Sequence, residues 1–158
     1  LEDTPAVHIV LVGDGKDKPS LQAQAESMGL KNVTFLPPVP KSGMAETLAG
    51  ADACIAILKA IDVYKTTYPN KVFDYMAAGR PVVLAIDGVI RQVVEEAGCG
   101  VFVRPGDPQA LAEGIRALAH DPAGSASMGQ KGRRYVEEHF SREQSARALE
   151  EILEQMSR

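Results

Sequence analysis

Between residues 7 and 103, apolar runs too short to be helices alternate with segments of helical periodicity. That alternation is the strongest constraint on what the chain can fold into. Val7-His-Ile-Val-Leu-Val12 is a β-branched and aliphatic run stopped by Gly13-Asp-Gly15, the pattern of a strand covered on both faces. A helical pattern over about 19–28 closes at Gly29. Val33-Thr-Phe-Leu36 follows, ended by Pro37-Pro38, then a helix over about 43–48 ending near Gly50. Ala53-Cys-Ile-Ala-Ile-Leu58 reads as a third strand. A polar stretch then leads to Pro69, a residue suited to the first helical position, and that helix stops at Gly79. Pro81-Val-Val-Leu-Ala85, a helix over about 89–97 and Gly100-Val-Phe-Val103 complete the alternation. Beyond it, Asp107-Pro108 and Asp121-Pro122 each read as an N-cap followed by a first-position proline, and Ser141-Arg-Glu-Gln144 reads as a capping box. Strands separated by helices pair in parallel through right-handed crossovers. The expected fold is α/β, a doubly wound parallel sheet of about five to six strands with a helical C-terminal tail.

Composition narrows the function. The chain has 158 residues, the length of one domain, and its 45% hydrophobic content supports a core of its own. Lys+Arg 17 against Asp+Glu 21 gives a net charge of −4, which leaves no basic excess for a nucleic-acid backbone. Cys54 and Cys99 each lie in an apolar stretch, far in sequence from His8, His120 and His139. They read as small buried hydrophobes, not as a disulfide framework or a zinc site. No apolar run approaches the ~18 residues of a membrane span, and no signal peptide opens the chain. The chain starts at Leu1, not Met, and runs almost directly into a strand, as expected of a piece of something longer.

Ligands of open α/β sheets bind beyond the carboxyl ends of the strands, which here means the loops over 13–18, 37–41, 59–70 and 85–88. Gly13-Asp-Gly15 suits a close backbone approach to a ligand and equally a tight strand-to-helix turn. The dinucleotide fingerprint would place a third glycine where Lys18 stands. The loop over 59–70 is long for its type, and loops of that length are more often functional. It ends in Thr66-Thr-Tyr-Pro-Asn-Lys71. A helix starting at Pro69 turns the free N–H groups of Asn70 and Lys71, and the positive end of its dipole, toward the crevice. Lys71 in a first turn is locally unfavourable unless an anion sits there, so it marks either a phosphate site or a solvated lysine. Asp74, one turn on, either accepts hydrogen bonds from a ligand diol or complements the helix dipole.

Five segments occur in an order that resembles a known family: Val10-Leu-Val-Gly-Asp-Gly15, Asn32-Val-Thr-Phe-Leu-Pro-Pro38, Ala51-Asp-Ala53, Pro69-Asn-Lys-Val-Phe-Asp-Tyr-Met-Ala-Ala-Gly-Arg-Pro-Val-Val83 and Gly100-Val-Phe-Val-Arg-Pro-Gly-Asp-Pro108. Together they resemble the C-terminal, donor-binding domain of family 4 nucleotide-sugar glycosyltransferases, which are built as two Rossmann-like domains in the GT-B arrangement. The third-loop form is closest to a bacterial branch that moves aminosugars in surface-polysaccharide synthesis. The resemblance implies that Tyr68, Asn70 and Lys71 face the nucleotide diphosphate, with Lys71 stabilising it, and that Thr67 lies beside them. The glutamate that binds the ribose hydroxyls falls on Asp74. The family's other glutamate, which contacts the donor sugar, falls eight positions earlier on Thr66, a departure that leaves the sugar open. Pro38, Val39 and Lys41 fall in the loop that frames the base, and Gly13, Asp14 and Gly15 in the loop that lets backbone approach the ligand.

The resemblance also implies a preceding strand with a basic diphosphate clamp and an N-terminal acceptor domain, neither of which this sequence supplies. The expectation is therefore one half of a retaining, cytoplasmic enzyme, inactive alone, that uses a UDP-sugar. No cofactor or metal is expected, since the sequence has no Asp-x-Asp. Membrane association would be peripheral, through the other half. The alternatives are a nucleotide-sugar 2-epimerase domain, which needs carboxylates where Thr66 and Thr67 stand, and a non-catalytic nucleotide-binding or regulatory α/β module, of which a receiver type needs an acidic cluster that the strand ends lack. In the tail, Glu137, Glu138, Arg142, Glu143, Arg147, Glu150 and Glu151 read as a solvated face. Ala146, Leu149, Ile152, Leu153 and Met156 form an apolar stripe that would cross to the N-terminal domain or drive self-association.

Overall fold

Val82-Val-Leu-Ala85 has no polar side chain on either face and is the strand around which the rest is laid down. In the computed structural model, which describes Leu1 and residues 4–156 apart from the side chains of 142–145 and 148, all four of its residues are buried. The order of elements is β1 (Ile9–Val12), α1 (Lys18–Ser27), β2 (Val33–Leu36), α2 (Lys41–Ala49), β3 (Cys54–Ile57), a 3-10 turn (Asp62–Thr66), α3 (Asn70–Ala77), β4 (Val82–Ala85), α4 (Val89–Ala97), β5 (Gly100–Phe102), α5 (Pro108–His120), α6 (Pro122–His139) and α7 (Arg142–Met156). Every strand pairing is parallel. Cys54 faces Val82 across β3 and β4, and Val82 faces Gly100 across β4 and β5.

Alternation along β4 sorts the core into two layers. Val82 and Leu84 pack with Val72 and Met76 of α3, Ile90 and Val94 of α4, and Cys99. Val83 and Ala85 pack on the opposite face with Leu111, Ile115 and Leu118 of α5. The sheet is therefore covered by helices on both sides, the doubly wound α/β arrangement the sequence predicts. α6 reaches the first layer only because its facing positions are glycines. A Cβ on Gly129 would overlap the carbonyl oxygen of Gly79, and a Cβ on Gly132 would come within 2.8 Å of the Cys99 Cβ. The expected caps form as well: the Asp107 carboxylate accepts from Ala110 N–H and that of Asp121 from Gly124 N–H, both at 2.9 Å.

The structure departs from the sequence expectations in three places. First, the five described strands fall into two parallel pieces, β1–β2 and β3–β4–β5, with no hydrogen bond between β1 and β3 among the described residues. Second, β1 was expected to be covered on both faces, yet Val10 is 50% and Leu11 42% exposed. The physical reason lies in the neighbouring helices: α1 and α2 carry few large apolar side chains and bury none. Third, Pro69 is the N-cap of α3 and not its first residue, because its ψ of 119° is extended; Asn70 starts the helix. The capping box at 141–144 lies largely outside the described side chains, as do Arg142 and Glu143 of the charged tail face. The rest of that face is solvated, and Ala146, Leu149, Ile152, Leu153 and Met156 are all exposed along α7. No described helix is long and apolar enough to cross a membrane.

Both cysteines are buried and unpaired, and burial pushes each thiol up to about 11. For Cys54 the nearby Arg80 charge offsets part of that rise. Native protein should accordingly resist thiol reagents at pH 8, and both groups should react after denaturation in urea. The unfolded thiols ionise near 9.0 while the folded ones stay protonated to about 11, so stability should fall as pH rises through that window. Gly129→Ala supplies a packing test. In an exposed helix this change would gain roughly 1 kcal/mol, but here the methyl meets backbone and should cost about 1–3 kcal/mol in urea denaturation.

Candidate functional site

The loop residues predicted from sequence gather in two groups at the carboxyl ends of the strands. One group lies beyond β1 and β2, whose last residues, Val12 and Leu36, are register partners. Gly13 leaves β1 with φ of +144° and donates its N–H to the Leu36 carbonyl at 3.3 Å. Asp14 and Gly15 are exposed in the same turn. Opposite them, Pro38 is exposed and Val39 half-buried, and Lys41 is the exposed first residue of α2. A Cβ on Gly43 would sit 3.0 Å from Val39 Cγ1, so Gly43 lets that loop lie close to the helix.

The second group is built on the start of α3. Pro69 cannot offer a side-chain cap, and Val72 N–H turns back to the Pro69 carbonyl at 3.0 Å. Among the described residues, the backbone N–H groups of Asn70 and Lys71 have no acceptor. Lys71 Nζ lies 3.4 Å from the carbonyl of Ile57, the last residue of β3, which brings the ammonium to the carboxyl edge of the sheet. Exposed Asp74 stands one turn further along, and its carboxylate has no hydrogen bond or ion pair among the described residues. Its neighbour Tyr75 has its phenol pushed up, by burial first and then by the charges of Cys54 and Asp74. Tyr68 is exposed, with its ring 6.3 Å from that of Phe73. The hydroxyls of Thr66 and Thr67 donate to the Val63 carbonyl at 3.3 and 3.2 Å, so both hydroxyl protons are turned back into their own loop. Uncapped amides, a cation and a carboxylate one turn away form a surface that can bind a phosphate and a vicinal diol together. No hydrogen bond joins the two groups to each other among the described residues.

Sequence reasoning missed two features. A cavity of about 240 Å³ opens beyond β3, β4 and β5, lined in part by Lys59, Tyr64, Lys65, Asp87 and Arg104. None of the candidate residues lines it. Its position after three strand ends is the available signal, and the loop after β5 lies outside the four loops singled out from the sequence. Lys18 was the second omission. Read only as the residue that breaks a glycine fingerprint, it donates to the carbonyls of Gly13 and Leu36 at 2.7 and 2.8 Å.

The 3-10 turn that delivers Thr66 and Thr67 is seated on the start of α4. Asp62 and Lys65 pair across it at 2.8 Å, an exposed contact of small stabilising effect. The seat itself is Gly88, whose φ of +100° favours glycine and whose missing side chain makes room for the backbone of Lys65.

The parallel α/β fold is the one seen in solved glycosyltransferase structures. HepE from Anabaena, solved in complex with UDP, superposes with a TM-score of 0.82 at 23% identity, covering 98% of this chain and 44% of that one. Sucrose-phosphate synthase from Thermosynechococcus elongatus superposes with a TM-score of 0.79 at 24% identity, covering 93% and 38%. The model of the family Glycosyl transferases group 1 matches residues 1–121, and the chain belongs to that family. It is 32% identical over 127 residues to a D-inositol 3-phosphate glycosyltransferase of Streptomyces avermitilis, covering 79% of this chain and 26% of the relative. It is 30% identical over 152 residues to the GDP-mannose-dependent monoacylated alpha-(1-6)-phosphatidylinositol monomannoside mannosyltransferase of Corynebacterium glutamicum, covering 95% and 39%. The chain thus spans well under half the length of these relatives.

Gly88→Ala should unseat the turn that leads into α3. Strain at positive φ and overlap with Lys65 together should lower stability by about 1–3 kcal/mol, read as an earlier thermal midpoint.

Proposed function

We propose that this chain is the donor-binding, C-terminal domain of a retaining family 4 glycosyltransferase that takes a UDP-sugar and acts in the cytoplasm on glycan or surface-polysaccharide synthesis. The observation that carries this reading is the start of α3: uncapped Asn70 and Lys71 amides, the Lys71 ammonium at the end of β3, and exposed Asp74 one turn on. The diphosphate lies against the amides and Lys71, and the ribose hydroxyls donate to Asp74. In the transfer, an acceptor hydroxyl oxygen bonds to the anomeric carbon and gives up its proton as the bond from that carbon to the β-phosphate oxygen breaks, and negative charge grows on the departing diphosphate. The helix amides and Lys71 stabilise that charge without reorganising. A second domain of the same polypeptide supplies the acceptor site, the remaining basic groups and any peripheral membrane contact. This division leaves the chain alone inactive in transfer, because placing both substrates supplies much of the rate.

UDP is preferred as the donor nucleotide on the likeness to HepE, whose structures hold UDP and UDP-glucose. The Corynebacterium relative is named for GDP-mannose, so UDP and GDP are the two ligands to compare. Calorimetric titration should show UDP binding more tightly than GDP, and unchanged by a chelator. Tighter GDP binding overturns the UDP assignment, and loss of UDP binding with chelator overturns metal independence.

Asp74→Ala should weaken UDP binding about 10- to 100-fold, since a hydrogen bond to a charged group contributes roughly 1.5–3 kcal/mol. Asp74→Asn should lose less, because its amide oxygen still accepts. If Asp74→Ala binds UDP like the parent and merely melts earlier, the carboxylate serves only the helix dipole and the ribose assignment is wrong.

A further inference from the structure

Lys18 is the first residue of α1, where a cation is opposed by the helix dipole. Its side chain leaves the helix and reaches carbonyl groups on two separate segments, Gly13 O at 2.7 Å and Leu36 O at 2.8 Å. These are the residue just after β1 and the last residue of β2, so one ammonium ties together the two loops of the first candidate group. A lysine that served only solubility would stay in water. Its long side chain gives up rotamer freedom here, and the ammonium of this half-buried residue takes two backbone acceptors in exchange. An ammonium has three donors, so one N–H remains for a third acceptor.

We propose that Lys18 is a specificity-determining positioning residue, which fixes the gap between the loops 13–15 and 37–41 and so shapes the pocket for the nucleobase. The inference rests on the nucleotide-binding reading above and deepens it. It concerns only the loops over 13–15 and 37–41, where the family resemblance puts the base, because the diphosphate is assigned to the start of α3 beyond β3. Without the ammonium, the Leu36 carbonyl still accepts from Gly13 N–H, at the longer distance of 3.3 Å. The loops would remain neighbours but lose their fixed separation. Loss of Lys18 should therefore weaken ligands that have a base and spare those that have none.

The test is calorimetric titration of the parent chain, Lys18→Met and Lys18→Arg with UDP, GDP and inorganic pyrophosphate. Lys18→Met should weaken UDP about tenfold, narrow the UDP-to-GDP preference, and leave pyrophosphate within about twofold. Lys18→Arg, which keeps a cation able to reach both carbonyls, should restore most of the UDP affinity. A Lys18→Met chain that binds UDP with the parent's affinity and preference overturns the proposal. So does one that loses UDP and pyrophosphate equally, since that marks a general effect of charge or folding. A parent that binds pyrophosphate but not UDP also overturns it while leaving the α3 phosphate site standing. A folded parent that binds neither removes the nucleotide reading itself, and the base clamp with it. Should Lys18→Met fail to fold, the parent's own Lys18 side-chain NMR signals decide. They should move on adding UDP and stay in place with pyrophosphate, and stillness with UDP refutes the clamp.

Discussion

Burial of β4 on both faces is the constraint from which the rest of the structure follows. A strand with no solvated face needs a hydrogen-bonded neighbour on each edge and a helix layer above and below. β3 and β5 supply the edges, α3, α4 and α6 one layer, and α5 the other. Those demands place the start of α3 at the carboxyl edge of the sheet, because the helix must run back antiparallel to the strands it covers. The uncapped amides of Asn70 and Lys71 are thus a consequence of packing, put in place before any ligand arrives.

Close approach keeps that start in register. Gly129 lets α6 press its backbone against Gly79, just past the end of α3, and Gly88 lets the turn before α3 rest on α4. Both ends of the helix are therefore set by contacts that accept no side chain. A helix held in this way can carry unsatisfied amides without fraying. Loss of local hydrogen bonds is offset by Val72 and Met76, fully buried in the first and second turns.

Most of the fold was legible in the sequence, because the apolar runs that form β3, β4 and β5 are short, β-branched and punctuated by glycine and proline. The Asp107 and Asp121 caps were equally plain, each being an aspartate directly before a proline. What failed was the burial of β1. Val7-His-Ile-Val-Leu-Val12 has the composition of a covered strand, but composition cannot report whether neighbouring helices have the side chains to cover it. Of the site, α3 could be read from helix electrostatics, which depend on residues adjacent in sequence. Lys18 could not, since its two acceptors lie 5 and 18 residues away and neither is a side chain. Arg104 is illegible for a related reason, for it comes to line one cavity with Lys59 and Asp87 only through the folding of three separate strands.

The exposure of β1 divides the molecule into unequal parts. The β3–β4–β5 half has a sealed core, whereas the β1–β2 half leaves Val10, Leu11 and Leu36 in contact with water. Units with few buried apolar contacts open at lower free energy than the whole, and their amides exchange with solvent first. The amide protons of β1 and β2 are thus the labile set, and those of β4 the slow one. The two groups of loop residues sit on opposite sides of that division. A molecule long enough to touch both would act as a brace, slowing exchange in a half it contacts only at its tip.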